Sequence, residues 1–104
     1  MIWKRLEDTL KELGLVRSGR WLHQPGETHK PLYESAYCRM DYGGLTLWLY
    51  VTEHGDKIGD CKQSAGLYPD DIPHGDETHI MALESDGAEA WHIIENDFAA
   101  WLVR

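Results

Sequence analysis

The chain has few cysteines, no long apolar run and few basic residues in its second half. Each of these shortages excludes certain classes of protein. Its two cysteines, Cys38 and Cys61, are too few for a disulfide framework and lack the CxxC spacing of a zinc knuckle. No apolar run approaches the roughly 18 residues of a membrane-spanning helix, and the charged N-terminus is unlike a signal peptide. We therefore expect a cytoplasmic protein with free thiols and no membrane segment.

Basic residues are scarce in the second half of the chain. Residues 1–51 hold seven Lys and Arg against six Asp and Glu, whereas residues 52–104 hold three against twelve. The formal net charge of −8 therefore comes from the second half. An acidic surface repels phosphate backbones, so we expect no direct binding of nucleic acid and predict a basic protein partner instead. The same acidity would also keep a tryptophan-rich domain soluble, so charge alone does not establish a partner.

The residues that are present indicate one folded domain over residues 1–104. A hydrophobic fraction of 42% with five Trp and five Tyr excludes a disordered chain. The most apolar and most β-prone run is Leu45–Val51, which we predict to be the central strand. Its alternation places Leu45, Leu47, Leu49 and Val51 on a predicted core face, and Thr46, Trp48 and Tyr50 on a predicted aromatic face.

The residues before this run predict a helix followed by a meander. Apolar residues recur at helical spacing over residues 2–13, and Gly14 is a C-terminal cap. Strands are predicted at 16–23 and 32–40, with a turn at 24–27 between them. Gly43 and Gly44 predict a tight turn into the central strand.

The residues after this run are harder to interpret. Residues 52–77 are rich in Gly, Pro, Asp and His, which predicts one long irregular acidic loop with a short strand near 60–63. Residues 87–103 fit either one amphipathic helix or a hairpin followed by a short helix. We favour the hairpin, with strands 79–85 and 88–95 joined by a type I′ turn at Asp86 and Gly87, and with Asn96 as a helix cap.

Together these elements predict an α+β fold. It has an N-terminal helix, an antiparallel sheet of about five or six strands in meander and hairpin order, and a C-terminal helix.

The only residues suited to metal chemistry lie in or beside the acidic loop. Imidazole and carboxylate groups can bind Zn²⁺, but a His pair at i, i+5 matches no strict metal signature. We therefore predict no metal and no other cofactor. The weak candidates are His54, Asp56, His74, Asp76 and His79.

No pattern marks a nucleophile. Cys38 falls inside a predicted strand, and no serine occupies a nucleophile-elbow sequence. We predict no catalytic residue, and an enzyme is the less favoured interpretation.

The sequence thus favours a small acidic protein-binding module, an inhibitor that masks a basic nucleic-acid-binding or nuclease site on a partner, as anti-defence and immunity proteins do. Two alternatives stay open: a metal-dependent hydrolase that uses the His- and Asp-rich loop over residues 54–79, or an accessory or structural domain. The oligomeric state is not predicted. Exposed carboxylates would steer the partner, and aromatic rings would anchor it. The rings that could line one face of the meander are Trp21, Tyr33, Tyr37, Trp48 and Tyr50. The predicted partner-binding residues are Asp70, Asp71, Asp76, Glu77, Trp48 and Tyr50.

Overall fold

A computed structural model describes residues 2–24, 34–54, 62–70, 79–85 and 90–103. Within these ranges the chain forms one six-stranded antiparallel sheet, with the strands side by side in chain order, and two helices. The predicted α+β architecture is confirmed. The elements are α1 (Ile2–Glu12), β1 (Val16–Gln24), β2 (Glu34–Tyr42), β3 (Leu45–His54), β4 (Lys62–Pro69), β5 (Met81–Ser85), β6 (His92–Asn96) and α2 (Phe98–Leu102).

Helix α1 ends in a glycine cap, as the sequence predicts. Gly14 has φ of +89°, its N–H donates to Lys11 O at 2.9 Å, and the N–H of Leu15 donates to Leu10 O at 3.0 Å. This pair of bonds is the Schellman motif, which satisfies carbonyls at the helix end. Leu10 and Leu15 are both fully buried, so the cap also turns the chain back onto the core.

The turn between β2 and β3 contains two residues with positive φ. Gly43 and Gly44 have φ of +51° and +93°, and Tyr42 pairs with Leu45 across them. These angles define a two-residue type I′ hairpin, whose twist matches the twist of the flanking strands. The predicted turn is confirmed.

The core lies on one face of the sheet. Strand β3 contributes Leu47, Leu49 and Val51, all fully buried, and α1 covers them with Leu6 and Leu10. Each such side chain contributes about 1.5–3 kcal/mol when it is buried. The remaining core residues lie in or just before the other strands and in the C-terminal segment: Leu15, Cys38, Met40, Ala65, Leu67, Ile80, Met81, Leu83, Trp91 and Phe98.

Two details of the predicted strands are wrong. Leu45 shares the core side of β3 but is 41% exposed, because it lies at the hairpin end of the strand, beside the turn. Strand β4 extends over eight residues, Lys62–Pro69, although only a short strand near 60–63 was predicted inside a long loop. The strand was underestimated because its core positions include Gln63, Ala65 and Pro69, which do not form an apolar pattern. Residues 55–61 and 71–77 of the predicted loop lie outside the described residues.

The C-terminal segment is a strand followed by a short helix, as in the favoured interpretation. Strand β6 pairs with β5, and the single helix over residues 87–103 is excluded. The pairing of these strands includes Glu84 opposite His92. The predicted type I′ turn at Asp86 and Gly87 lies outside the described residues.

Asn96, which was predicted as a helix cap, accepts a hydrogen bond at the start of α2. The N–H of Phe98 donates to Asn96 Oδ1 at 3.0 Å, which satisfies one of the free amides at the helix start. Phe98 itself is buried in the core, so this bond places α2 on the same face of the sheet as α1. Among the helices that the structure describes, none is long and apolar enough to cross a membrane.

Two positions on β3 test the placement of the core. Leu49→Asp is expected to unfold the protein, because a charge at a fully buried position costs several kcal/mol against a total stability of about 5–15 kcal/mol. Leu45→Asp is the matched control on the same strand and should lower Tm by only a few degrees, because Leu45 is 41% exposed. Thermal unfolding followed by circular dichroism measures both. Equal Tm values for the two variants would contradict this placement.

The β2–β3 turn provides a second test. Gly44→Ala should destabilise the fold by about 1 kcal/mol, since φ of +93° is strained for any residue with a Cβ. Gly43→Asn is the control and should be nearly neutral, because asparagine tolerates φ near +51°. Urea unfolding gives both free energies. A neutral Gly44→Ala variant would refute the assignment as a type I′ turn.

Candidate functional site

The face of the sheet opposite the helices carries a group of aromatic side chains. Alternation along the strands puts Tyr37 of β2, Trp48 and Tyr50 of β3, and Tyr68 of β4 on this side. All four are half-buried. We call these four residues the aromatic face.

The rings of the aromatic face contact one another across three strands. Tyr37 stacks on Tyr50 with centroids 5.3 Å apart, and lies 5.8 Å from Trp48 in a tilted arrangement. Tyr50 meets Tyr68 edge to face at 5.6 Å. Cross-strand aromatic pairs of this kind stabilise a sheet and fix the positions of the rings. The aromatic face is therefore one continuous cluster.

Two contacts hold the Trp48 side chain, one at its indole N–H and one at the face of its ring. Its indole N–H donates to Asp70 Oδ1. The guanidinium carbon of Arg39, the residue directly opposite on β2, lies 4.9 Å from the ring centroid, which is a cation–π contact. Both partners restrict the rotamer of Trp48, so its ring is preorganised.

The ring of Tyr68 folds back along β4 and covers Gly66. A Cβ atom on Gly66 would be 2.8 Å from Cε1 of Tyr68 and 2.9 Å from its hydroxyl oxygen. Only glycine leaves room for the ring in this position. The imidazole of His79 meets the Tyr68 ring edge to face at 6.2 Å.

Exposed carboxylates surround the aromatic face. One follows β4, and the others lie on β2, β5 and β6, and we call them the acidic rim: Asp41, Asp70, Glu84 and Glu95. The guanidinium of Arg39 lies on the same face, over the ring of Trp48. Burial, followed by the neighbouring Tyr37 and Tyr68, raises the pKa of Tyr50, so its hydroxyl stays neutral at physiological pH. The site combines an aromatic centre with a negative border.

The predicted partner-binding residues fall into two groups. Trp48, Tyr50 and Asp70 lie together on this face, and the bond from Trp48 to Asp70 joins two residues that were predicted for different roles. Asp71, Asp76 and Glu77 lie outside the described residues, so their part in the site stays a prediction.

The weak metal candidates are not brought together by the described part of the chain. Nε2 of His79 is 2.8 Å from Oε2 of Glu95, a contact to a residue that was not a candidate. His54 ends β3, whereas Asp56, His74 and Asp76 lie outside the described ranges. Among the residues that are described, no group of three or more His, Cys, Asp and Glu could hold a metal ion.

Cys38 lies on the opposite face, in the core. Burial raises the pKa of its thiol to about 12, and the negative charge of Glu7 adds to the rise. A thiol that keeps its proton at neutral pH is a poor nucleophile, so Cys38 acts as a small apolar core residue.

Sequence reasoning missed Tyr68 and misplaced Trp21. Tyr68 fell inside the predicted loop, although its position between Leu67 and Pro69 on a strand would have put it on the open face. Trp21 was grouped with the aromatic face, but its indole N–H donates to Glu7 of α1 at 2.9 Å and its ring packs against the core. Its neighbour Leu22 is the residue that pairs with Tyr37 of the open face, so alternation along β1 places Trp21 on the core side.

Comparison with known proteins gives no match: no family model, no curated protein and no solved structure is significantly similar to this chain.

Gly66→Ala tests the geometry of the aromatic face. The added methyl group should push the Tyr68 ring away from its strand and break its contact with Tyr50. We expect changed ring-proton shifts for both tyrosines in NMR spectra, with a loss of stability of less than about 1 kcal/mol, because the end of a side chain can move.

The control is the same substitution in a Tyr68→Ala background. There the methyl group meets no ring, so Gly66→Ala should leave the remaining aromatic shifts unchanged. If Gly66→Ala alone leaves the Tyr68 and Tyr50 shifts as they are in the unsubstituted protein, the ring does not lie over Gly66.

Proposed function

We propose that this chain is a protein-binding module that docks on a basic surface of another protein. The observation that carries the proposal is the continuous aromatic face bordered by the four carboxylates of the acidic rim. Protein interfaces derive most of their binding energy from a few central aromatic side chains, and the polar residues around them exclude water and set specificity. The arrangement of rings and carboxylates has this anatomy.

The charge of the site favours a basic partner. The acidic rim consists of four carboxylates, and the whole chain has a formal net charge of −8. Charges of one sign around a docking site speed association with a surface of the opposite sign. Phosphate groups would be repelled by the same carboxylates, which disfavours nucleic acid although aromatic rings can stack on bases.

The class of partner that we favour is a protein whose basic surface binds nucleic acid. An acidic module on such a surface competes with phosphates for the same cationic side chains, so docking would inhibit the partner. We therefore propose an inhibitory role, in the manner of an immunity or anti-defence protein.

The proposal is tested by capturing binding partners from host lysate with the unsubstituted chain and with variants of the aromatic face. The unsubstituted chain should retain a basic protein that 1 M salt releases, because the Debye length falls from about 10 Å at 0.1 M to about 3 Å at 1 M. Trp48→Ala and Tyr50→Ala should each weaken binding by about 2–4 kcal/mol and mainly speed dissociation. Leu13→Ala is the control, since Leu13 is exposed at the end of α1, away from the aromatic face.

Rim variants separate the electrostatic contribution from that of the rings. Glu84→Lys and Asp70→Asn should slow association and leave the dissociation rate nearly unchanged, and asparagine keeps an acceptor for the Trp48 indole N–H. Glu12→Gln on α1 is the control for charge, because it removes one carboxylate far from the rim. A captured partner whose affinity is indifferent to salt, to the rim and to the two rings would contradict the proposal.

A further inference from the structure

Three polar side-chain atoms lie buried at one end of the core face. They are Oε1 of Gln63, Oγ of Ser85 and Nε1 of Trp91, and the three residues are 1%, 2% and 6% exposed. None of these atoms has a hydrogen-bond partner within the part of the chain that the structure describes. A buried polar group without a partner is costly and rare in native proteins, because folding removes it from water. We call Gln63, Ser85 and Trp91 the polar trio.

Strand pairing places the polar trio in one row across the sheet. Gln63 of β4 lies directly opposite Ser85 of β5. Glu84 lies opposite His92 of β6, so Trp91, one residue before His92, comes beside Ser85. The trio is buried on the core side, whereas Glu84 and His92 are exposed. The three side chains therefore occupy adjacent positions on one side of the sheet.

The hydrogen-bonding functions of the polar trio complement one another. Oε1 of Gln63 only accepts, the indole N–H of Trp91 only donates, and the hydroxyl of Ser85 does both. Gln63 and Ser85 are direct neighbours, but no hydrogen bond joins these two side chains. One molecule that donates and accepts can satisfy all three groups, because it accepts from Trp91, donates to Gln63 and bonds to Ser85 in either direction.

The chemistry of the polar trio selects a small neutral occupant. The carbonyl oxygen of Gln63 repels an anion, and the N–H of Trp91 repels a cation. Ser85 and Ala65, the next inward residue of β4, are small, so they fill less of this end of the core than leucines would. Buried waters typically make about three hydrogen bonds to polar groups that have no other partner.

We infer that the polar trio binds one internal water molecule, held between β4, β5 and the residue that precedes β6. This inference goes beyond the proposed function and does not rest on it, because the trio lies on the face of the sheet opposite the aromatic face. The bound water joins the C-terminal segment to the sheet through hydrogen bonds that the side chains do not make with one another.

A crystal structure of the unsubstituted protein tests the inference directly. At a resolution that shows ordered waters, we expect one electron-density peak at about 2.7–3.2 Å from Gln63 Oε1, Ser85 Oγ and Trp91 Nε1. A direct hydrogen bond between Gln63 and Ser85 with no such peak would overturn the inference. A core without a peak that contacts all three atoms would overturn it as well.

NMR spectroscopy provides a second test in solution. The Trp91 indole N–H should show a nuclear Overhauser cross-peak at the water frequency, and its signal is assigned among the five tryptophans by its loss in Trp91→Phe. Ser85→Ala should keep the cross-peak, since two partners still hold the water. Adding Gln63→Met to Ser85→Ala should abolish it, because one remaining partner is too few for a buried water.

The control is Ser64→Ala, which removes a hydroxyl from the other side of β4 and should leave the cross-peak unchanged. Amide spectra of the core residues confirm that each variant is folded. If Ser85→Ala alone abolishes the cross-peak, the signal came from exchange through the serine hydroxyl and the inference is wrong. A Trp91 indole N–H without any water cross-peak in the unsubstituted protein would also contradict it.

Discussion

The register of the β2–β3 hairpin is the constraint on which the rest of the structure depends. Because side chains alternate along a strand, a shift of one residue would exchange the two faces of β2 relative to β3. The positive φ angles of Gly43 and Gly44 make a two-residue turn, and this turn pairs Tyr42 with Leu45. Every later pair in the hairpin follows, including Tyr37 with Tyr50. The backbone angles at two glycines thus determine that apolar residues such as Cys38 and Leu49 meet on one side, and that the rings of Tyr37 and Tyr50 meet on the other.

The consequence is a sheet with two chemically different faces, of which the helices cover one. Both α1 and α2 contribute buried residues to the leucine-rich core, and the Schellman cap and the Asn96 bond direct the chain onto that side. The opposite face keeps its aromatic rings half-buried by each other. Rings that support one another do not need a covering helix to be fixed in place, and fixed rings lose little entropy when a partner arrives. The open face is thus rigid without a covering helix, as the proposed docking function requires.

Several features followed from local patterns. The cap at Gly14, the turn at Gly43 and Gly44 and the alternation of β3 depend on neighbouring residues and on angles that only glycine adopts easily, so the sequence was sufficient to predict them. The wrong predictions concern burial and strand length, which depend on residues that are distant in the sequence. Leu45 has the same pattern as Leu49, but its burial depends on its position at the hairpin end. Strand β4 has a weak pattern of its own and gains its regularity from hydrogen bonds to β3 and β5.

The sequence by itself determined the class of fold, the two-sided character of the central strand and the acidity of the second half, because composition and periodicity are properties of the chain before it folds. Only the tertiary structure decided which aromatic residues share a surface. Tyr68 joins Tyr50 because β4 pairs with β3 in one register, and Trp21 lies on the other surface because its neighbour Leu22 is the residue that pairs with Tyr37. The contact between His79 and Glu95 likewise joins residues 16 positions apart. Such neighbours are set by pairing between strands, and no local pattern encodes that pairing, since its energy is gained only when the whole sheet has formed.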